Sequence, residues 1–147
     1  MTPRRPLQIV VIDDNEDDIL LLQEALEGLD GVELLATETD GERGLRRVAE
    51  CVHQQTPPDL VLLDLNLPGR NGIEVLQLLK SEPRLRQIPV VLLSTSNLES
   101  DVKRALACGA DSYLSKPGRF DVLQRQLQQL VTRLRTGDSE LADSAWA

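Results

Sequence analysis

Apolar and polar positions along the chain follow two alternating rhythms. Short apolar, largely β-branched runs occur at Ile9–Ile12, Val32–Leu35, Leu60–Leu63, Pro89–Leu93 and Ser112–Leu114. Between them, apolar residues recur every three or four positions, the spacing that lines one face of a helix. The stripes are Ile19, Leu22, Leu26 and Leu29, then Leu45, Val48, Ala49 and Val52, then Ile73, Leu76 and Leu79. Two more follow, Leu98, Val102, Ala105 and Leu106, then Leu123, Leu127, Leu130 and Leu134. Five strand–helix units of about 25 residues are therefore predicted. Such repetition implies an α/β fold in which one parallel sheet, joined by right-handed crossovers, carries helices on both faces. Gly28, Gly31, Pro57–Pro58 and Gly109 fall where the predicted elements change.

Composition narrows the class of partner. The 147 residues suit one domain, and 24 acidic against 16 basic residues give a formal net charge of -8. Nucleic acids and anionic membranes are bound through clustered Lys and Arg, so neither is expected as a partner. Only Tyr113, Phe120 and Trp146 are aromatic, which also argues against base stacking. No apolar run approaches the ~20 residues of a membrane span. Cys51 and Cys108 each lie within a helical pattern and form no metal-binding spacing, so a reduced, cytoplasmic protein is expected.

Candidate chemistry collects at the strand ends. In open α/β sheets, ligands sit outside the carboxyl ends of the strands. The residues just past the apolar runs are Asp13–Asp14, Asp64, Ser94–Thr95 and Ser115–Lys116. The stretch VVIDDNEDD crowds five carboxylates into six positions. Glu16, Asp17 and Asp18 fit a first helical turn, where the dipole favours negative charge. Taken alone, Asp13–Asp14 reads equally well as a solvated cap or half of a metal site. With Asp64 and Lys116 at the ends of the other strands, the metal reading gains. Crowded carboxylates need a neutralising charge, and all-oxygen ligation suits Mg²⁺ or Mn²⁺. A strand-end aspartate beside such an ion and a lysine is a plausible nucleophile toward phosphorus.

These motifs resemble the receiver domain of two-component response regulators. The resemblance rests on DD after the first strand, DLNLPGRNG after the third, LLST after the fourth and SYLSKP after the fifth. Asp64 and Ser94 are 30 positions apart, Ser94 and Lys116 22. It implies a flavodoxin-like, doubly wound three-layer sandwich with strand order 2-1-3-4-5 and five helices, over residues 7–134. By position, Asp64 matches the phosphoacceptor, which takes its phosphoryl group from a sensor histidine kinase. Asp13, Asp14, Asp64 and the backbone carbonyl of Asn66 match the metal ligands. Lys116 matches the lysine that pairs with acceptor and phosphoryl group, and its bond to Pro117 is expected to be cis. Ser94 matches the switch hydroxyl, and Tyr113 the aromatic ring that follows it into vacated space. Thr95 stands where a smaller residue is common and is expected to narrow access to the acceptor.

DLNLP together with SEPRLRQIPVVLLSTS resembles the stand-alone receivers that serve bacterial and cyanobacterial phytochrome kinases. That subclass implies a bacteriophytochrome-type kinase partner and a homodimer through the helix 4–strand 5–helix 5 face or the C-terminal segment. Residues 135–147, acidic and ending near Trp146, are expected to be a flexible or dimer-docking tail, with output from a changed surface. Val122 and Val131 widen the apolar face of the last helix beyond one stripe, as either a subunit seam or extra internal packing would. His53 and the Arg43, Arg46 and Arg47 face read as solvated surface. The chain is thus expected to be a phosphoacceptor and not an enzyme. Two alternatives stand beside this. A haloacid-dehalogenase-like phosphatase would want an acid where Asn66 stands, and a non-phosphorylated interaction module would normally lack one of the four key residues.

Overall fold

A computed structural model describes residues 5–67, 71–95, 99–116 and 118–136. Predicted features at Pro68, Gly69, Leu98 and Pro117, and the tail beyond Thr136 with Trp146, lie outside the described residues. The element order is β1 (Leu7–Ile12), α1 (Glu16–Glu27), β2 (Val32–Glu38), α2 (Gly41–His53), β3 (Leu60–Asp64), α3 (Gly72–Ser81), β4 (Val90–Ser94), α4 (Glu99–Ala107), β5 (Ser112–Ser115) and α5 (Phe120–Thr136). The strands form one parallel sheet in the order β2-β1-β3-β4-β5, as the resemblance implied.

Alternation along each strand builds two cores. Ile9, Val11, Leu60, Leu62, Val91 and Leu93 face one side, meeting Leu22 and Leu26 of α1 and Leu127, Leu130 and Val131 of α5. Val10, Ile12, Val61, Leu63, Val90 and Leu92 face the other, meeting Val48 of α2, Leu76 and Leu79 of α3 and Val102 of α4. Every residue of β3 and β4 is buried, the signature of strands covered on both faces. Val131 belongs to the first core, so the widened face of α5 is at least partly internal packing; Val122 is half-buried.

The structure moves several predicted limits. β1 begins at Leu7, and β2 continues through Ala36, Thr37 and Glu38, three residues past the expected end. β2 is an edge strand whose residues are mostly half-buried, so its polar end is tolerated there. A register shift between Ile9 and Val10 leaves Leu35 without a partner in β1, which also obscures the pattern. Cys108 lies just past α4, not within it.

Helix starts are fixed by side-chain caps. The Asn15 carboxamide oxygen accepts from the Asp17 and Asp18 amides at 2.9 and 3.2 Å, and Asp40 and Asn71 cap α2 and α3 in the same way. At Gly72 the chain doubles back over β3, its amide donating to the Leu65 carbonyl at 2.7 Å. A Cβ there would stand 2.3 Å from the Asp64 carbonyl oxygen, so only glycine lets α3 start this close to the end of β3. Among the described residues no helix is long and apolar enough to cross a membrane.

Candidate functional site

The carboxyl ends of β1, β3, β4 and β5 converge on one crevice. Asp13 directly follows β1, where its amide donates to the Glu38 carbonyl at 3.0 Å. Its side chain is fully buried, with Oδ1 accepting from the Asn15 amide at 2.9 Å and Oδ2 from Lys116 Nζ at 2.8 Å. Asp64 ends β3 and is 4% exposed; its Oδ1 accepts from the Asn66 amide at 3.2 Å. Asp14 is exposed at the rim. Oxygens of Asp13, Asp14 and Asp64 all lie within 4.8 Å of one another.

Lys116 enters from the end of β5, anchored by its amide, which donates to the Ser94 carbonyl at 2.6 Å. Its ammonium donates to Asp13 and Asp18, both at 2.8 Å, and lies 3.5 Å from Asp64 Oδ2. The expected pairing of Lys116 with Asp64 is present as an ion pair at 3.5 Å, looser than the two contacts with Asp13 and Asp18 that the sequence did not announce. Asp18 is the residue that sequence reasoning assigned differently. It does sit in the first turn of α1, but its carboxylate reaches across to β5. The available signal was its place beside the buried Ile19 and Leu22, on the flank bordering the sheet.

Charge in this crevice is unbalanced. Burial first, and then the neighbouring negative charge of Asp13, push the Asp64 carboxyl up to about 7; Lys116 and the Asn66 amide oppose this only in part. Burial alone would favour the neutral Lys116 amine. Hydrogen bonds to Asp13 and Asp18 outweigh it and hold the ammonium protonated above its ordinary range. Four carboxylates (Asp13, Asp14, Asp18 and Asp64) thus face one ammonium. A divalent cation fits the all-oxygen set of Asp13, Asp14 and Asp64 in both charge and donor type.

Ser94, at the end of β4, is fully buried and shares a hydrogen bond with Tyr113, whose ring is 1% exposed. Burial raises the Tyr113 hydroxyl's pKa, and the Ser94 hydrogen bond offsets part of that rise. The Tyr113 ring is buried in this conformation. Thr95 is exposed beside Ser94, and Asn66 is exposed at the mouth of the loop after β3. His53 lies at the far, exposed end of α2, and Arg47 of the basic face pairs with Glu38 at 3.2 Å.

A parallel 2-1-3-4-5 sheet with an acidic triad and a lysine at its carboxyl edge defines a class. Residues 9–128 match the family model described as response regulator receiver domain, and the chain belongs to that family. It is 36% identical over 128 residues to the probable methanogenesis regulatory protein FilR2 of Methanothrix harundinacea, covering 85% of this chain and 81% of that one. Among solved structures it resembles the phosphorylated cyanobacterial phytochrome response regulator RcpA, with 33% identity, a TM-score of 0.75 and coverage of 90% and 96% of the two chains. It also resembles the Mn²⁺-bound form of response regulator Rcp1, with 34% identity, a TM-score of 0.69 and coverage of 86% and 93%. The chain spans about half the length of several other curated relatives that it matches.

Proposed function

We propose that Asp64 is the phosphoacceptor of a cation-dependent signalling switch. One observation carries this reading: the Asp64 carboxylate ends β3 inside a crevice it shares with Asp13, Asp14 and Lys116. An Asp64 oxygen attacks phosphorus, forming an acyl phosphate as the bond to the donor breaks. From a kinase phosphohistidine, the N–P bond breaks, its electron pair leaves with the imidazole nitrogen, and that nitrogen is protonated from solvent. Asp13, Asp14, Asp64 and the Asn66 backbone carbonyl would hold Mg²⁺ or Mn²⁺, which would supply positive charge to the phosphoryl oxygens. Lys116 neutralises a further oxygen. The Mn²⁺-bound form of Rcp1 and the phosphorylated form of RcpA support the same chemistry here.

Phosphorylation adds negative charge and strong hydrogen-bond acceptors beside Ser94. Ser94 exchanges its Tyr113 partner for a phosphoryl oxygen, and the α4–β5–α5 face changes with it. A sensor histidine kinase of the phytochrome type is the donor we favour, on the likeness to RcpA. The same α4–β5–α5 face is the proposed homodimer surface. Asn66 occupies the place where a phosphatase would keep its acid, so the adduct persists instead of turning over rapidly.

The test is incubation with acetyl phosphate and Mg²⁺, followed by intact mass and phosphate release. One stable adduct, absent without the cation and absent in Asp64→Asn, is the expected result. Continuous multiple-turnover phosphate release would favour the phosphatase, and no adduct under any condition the unphosphorylated interaction module.

A further inference from the structure

The Lys116 ammonium is held by a carboxylate that belongs to neither the proposed acceptor nor the proposed cation ligands. Asp18 Oδ2 lies 2.8 Å from Nζ, while Asp64 Oδ2 lies 3.5 Å away. The Asp18 side chain is 30% exposed, and the lysine's is 14%. A lysine ammonium has three N–H bonds on a flexible four-carbon stem, so it moves among acceptors easily. Two of those donors are committed to Asp13 and Asp18. Asp13 remains a neighbour of the acceptor whatever the lysine does. Asp18 draws the ammonium toward α1 and leaves it 3.5 Å from Asp64 Oδ2.

From this geometry we infer that Asp18 is a positioning residue that parks Lys116 before phosphorylation and competes with the phosphoryl group for its ammonium. The inference rests on the phosphoacceptor reading and adds to it a restraint supplied by α1. Drawing the ammonium closely onto a phosphoryl oxygen lengthens the Asp18–Lys116 contact, so Asp18 sets a free-energy cost on the phosphorylated state. Release of Asp18 also removes its tie between the first turn of α1 and the end of β5. Helix α1 thereby becomes sensitive to what Asp64 carries.

Beryllofluoride binding in the presence of Mg²⁺ reads this cost directly, as an equilibrium measured by calorimetry on the full chain. Asp18→Asn keeps the side-chain shape and removes the charge, and is expected to tighten binding about fivefold, the scale of one partly exposed ion pair. Asp18→Ser should do the same by a second route, and Asp18→Glu should restore weaker binding. Asp17→Asn removes an equal charge from the same helical turn, but from an exposed position. It should leave affinity within about twofold, since exposed charges one turn from the site are screened. A purely structural role for Asp18 would lower the melting temperature without tightening the mimic. Unchanged or weakened binding in both Asp18→Asn and Asp18→Ser, or equal tightening in Asp17→Asn, overturns the inference. If the unaltered protein binds no beryllofluoride at all, the phosphoacceptor reading itself has failed.

Discussion

Lys80 and Lys116 sit at opposite edges of the same sheet, with side chains 17% and 14% exposed, yet their surroundings differ in kind. At the amino edge, Lys80 donates to the Arg86 and Ile88 carbonyls at 3.1 and 2.9 Å and to Asp111 Oδ2 at 3.0 Å. Three donors meet three acceptors, and one ammonium meets one carboxylate. Asp111 Oδ2 also takes the Val90 amide at 2.7 Å, so the end of α3 and the starts of β4 and β5 are tied together. At the carboxyl edge, Lys116 faces three carboxylates within 3.5 Å, with Asp14 close behind. One lysine completes a neutral, satisfied knot. The other leaves negative charge over, and that surplus is what a divalent cation can neutralise. Removing one partner of a balanced buried pair is costly, whereas a surplus of buried charge points to a candidate ligand site.

Breaking the neutral knot should cost the most. Lys80→Met orphans Asp111 and is expected to remove about 2–3 kcal/mol, a fall of roughly 10 °C in melting temperature. Phosphorylation by acetyl phosphate below that temperature should be retained. Loss of phosphorylation in the folded variant would mean the two edges are coupled and the contrast is false.

Neutralising the unbalanced site should have the opposite sign. Because the Asp64 carboxyl is raised to about 7 when folded, it favours the folded state most below the ordinary carboxylate range. That contribution is lost as pH rises toward and through about 7. Asp64→Asn is therefore expected to melt roughly 5 °C higher than the unaltered protein at pH 8 without metal. The gap should close near pH 4, and thermal melts across that range check both statements.

Cation binding should achieve a similar relief at slightly smaller scale. Mg²⁺ at ten times its dissociation constant stabilises the folded state by about 1.4 kcal/mol, roughly 4 °C in melting temperature. Asp14→Asn should lose most of that gain while leaving the metal-free melt almost unchanged. The smallest effect belongs to Thr95→Ala. Widening the approach beside Ser94 should speed loss of the phosphoryl group about threefold, less than 1 kcal/mol in barrier height. An unchanged lifetime would remove any role for the Thr95 side chain.

The contrast between the two lysines also bounds what the sequence could reveal. Strand-end aspartates and Lys116 were legible because each follows an apolar run that only a buried strand explains. Ser94 and Tyr113 were legible through the motifs around them, although the ring's interior position was not. Asp18 was visible only as a helix-start acid, since its partner lies 98 residues away and no local pattern encodes that meeting. Lys80 was hidden for the same reason. It appears at the polar end of a helical stripe, and its acceptors come from a loop and from the start of β5. Leu85 and Ile88 are buried in the segment before β4 without helical or strand periodicity to announce them. The polar half of β2 escaped because an edge strand need not be apolar.

The central claim, that phosphorus is captured on Asp64 and not on the other crowded acids, is tested most directly by reductive trapping. After incubation with acetyl phosphate and Mg²⁺, borohydride converts an acyl phosphate to an alcohol, and peptide mass spectrometry locates it. The account predicts homoserine at position 64 alone, and none when Mg²⁺ is withheld. Reduction at Asp13, Asp14 or Asp18, or no reduction anywhere, would contradict it.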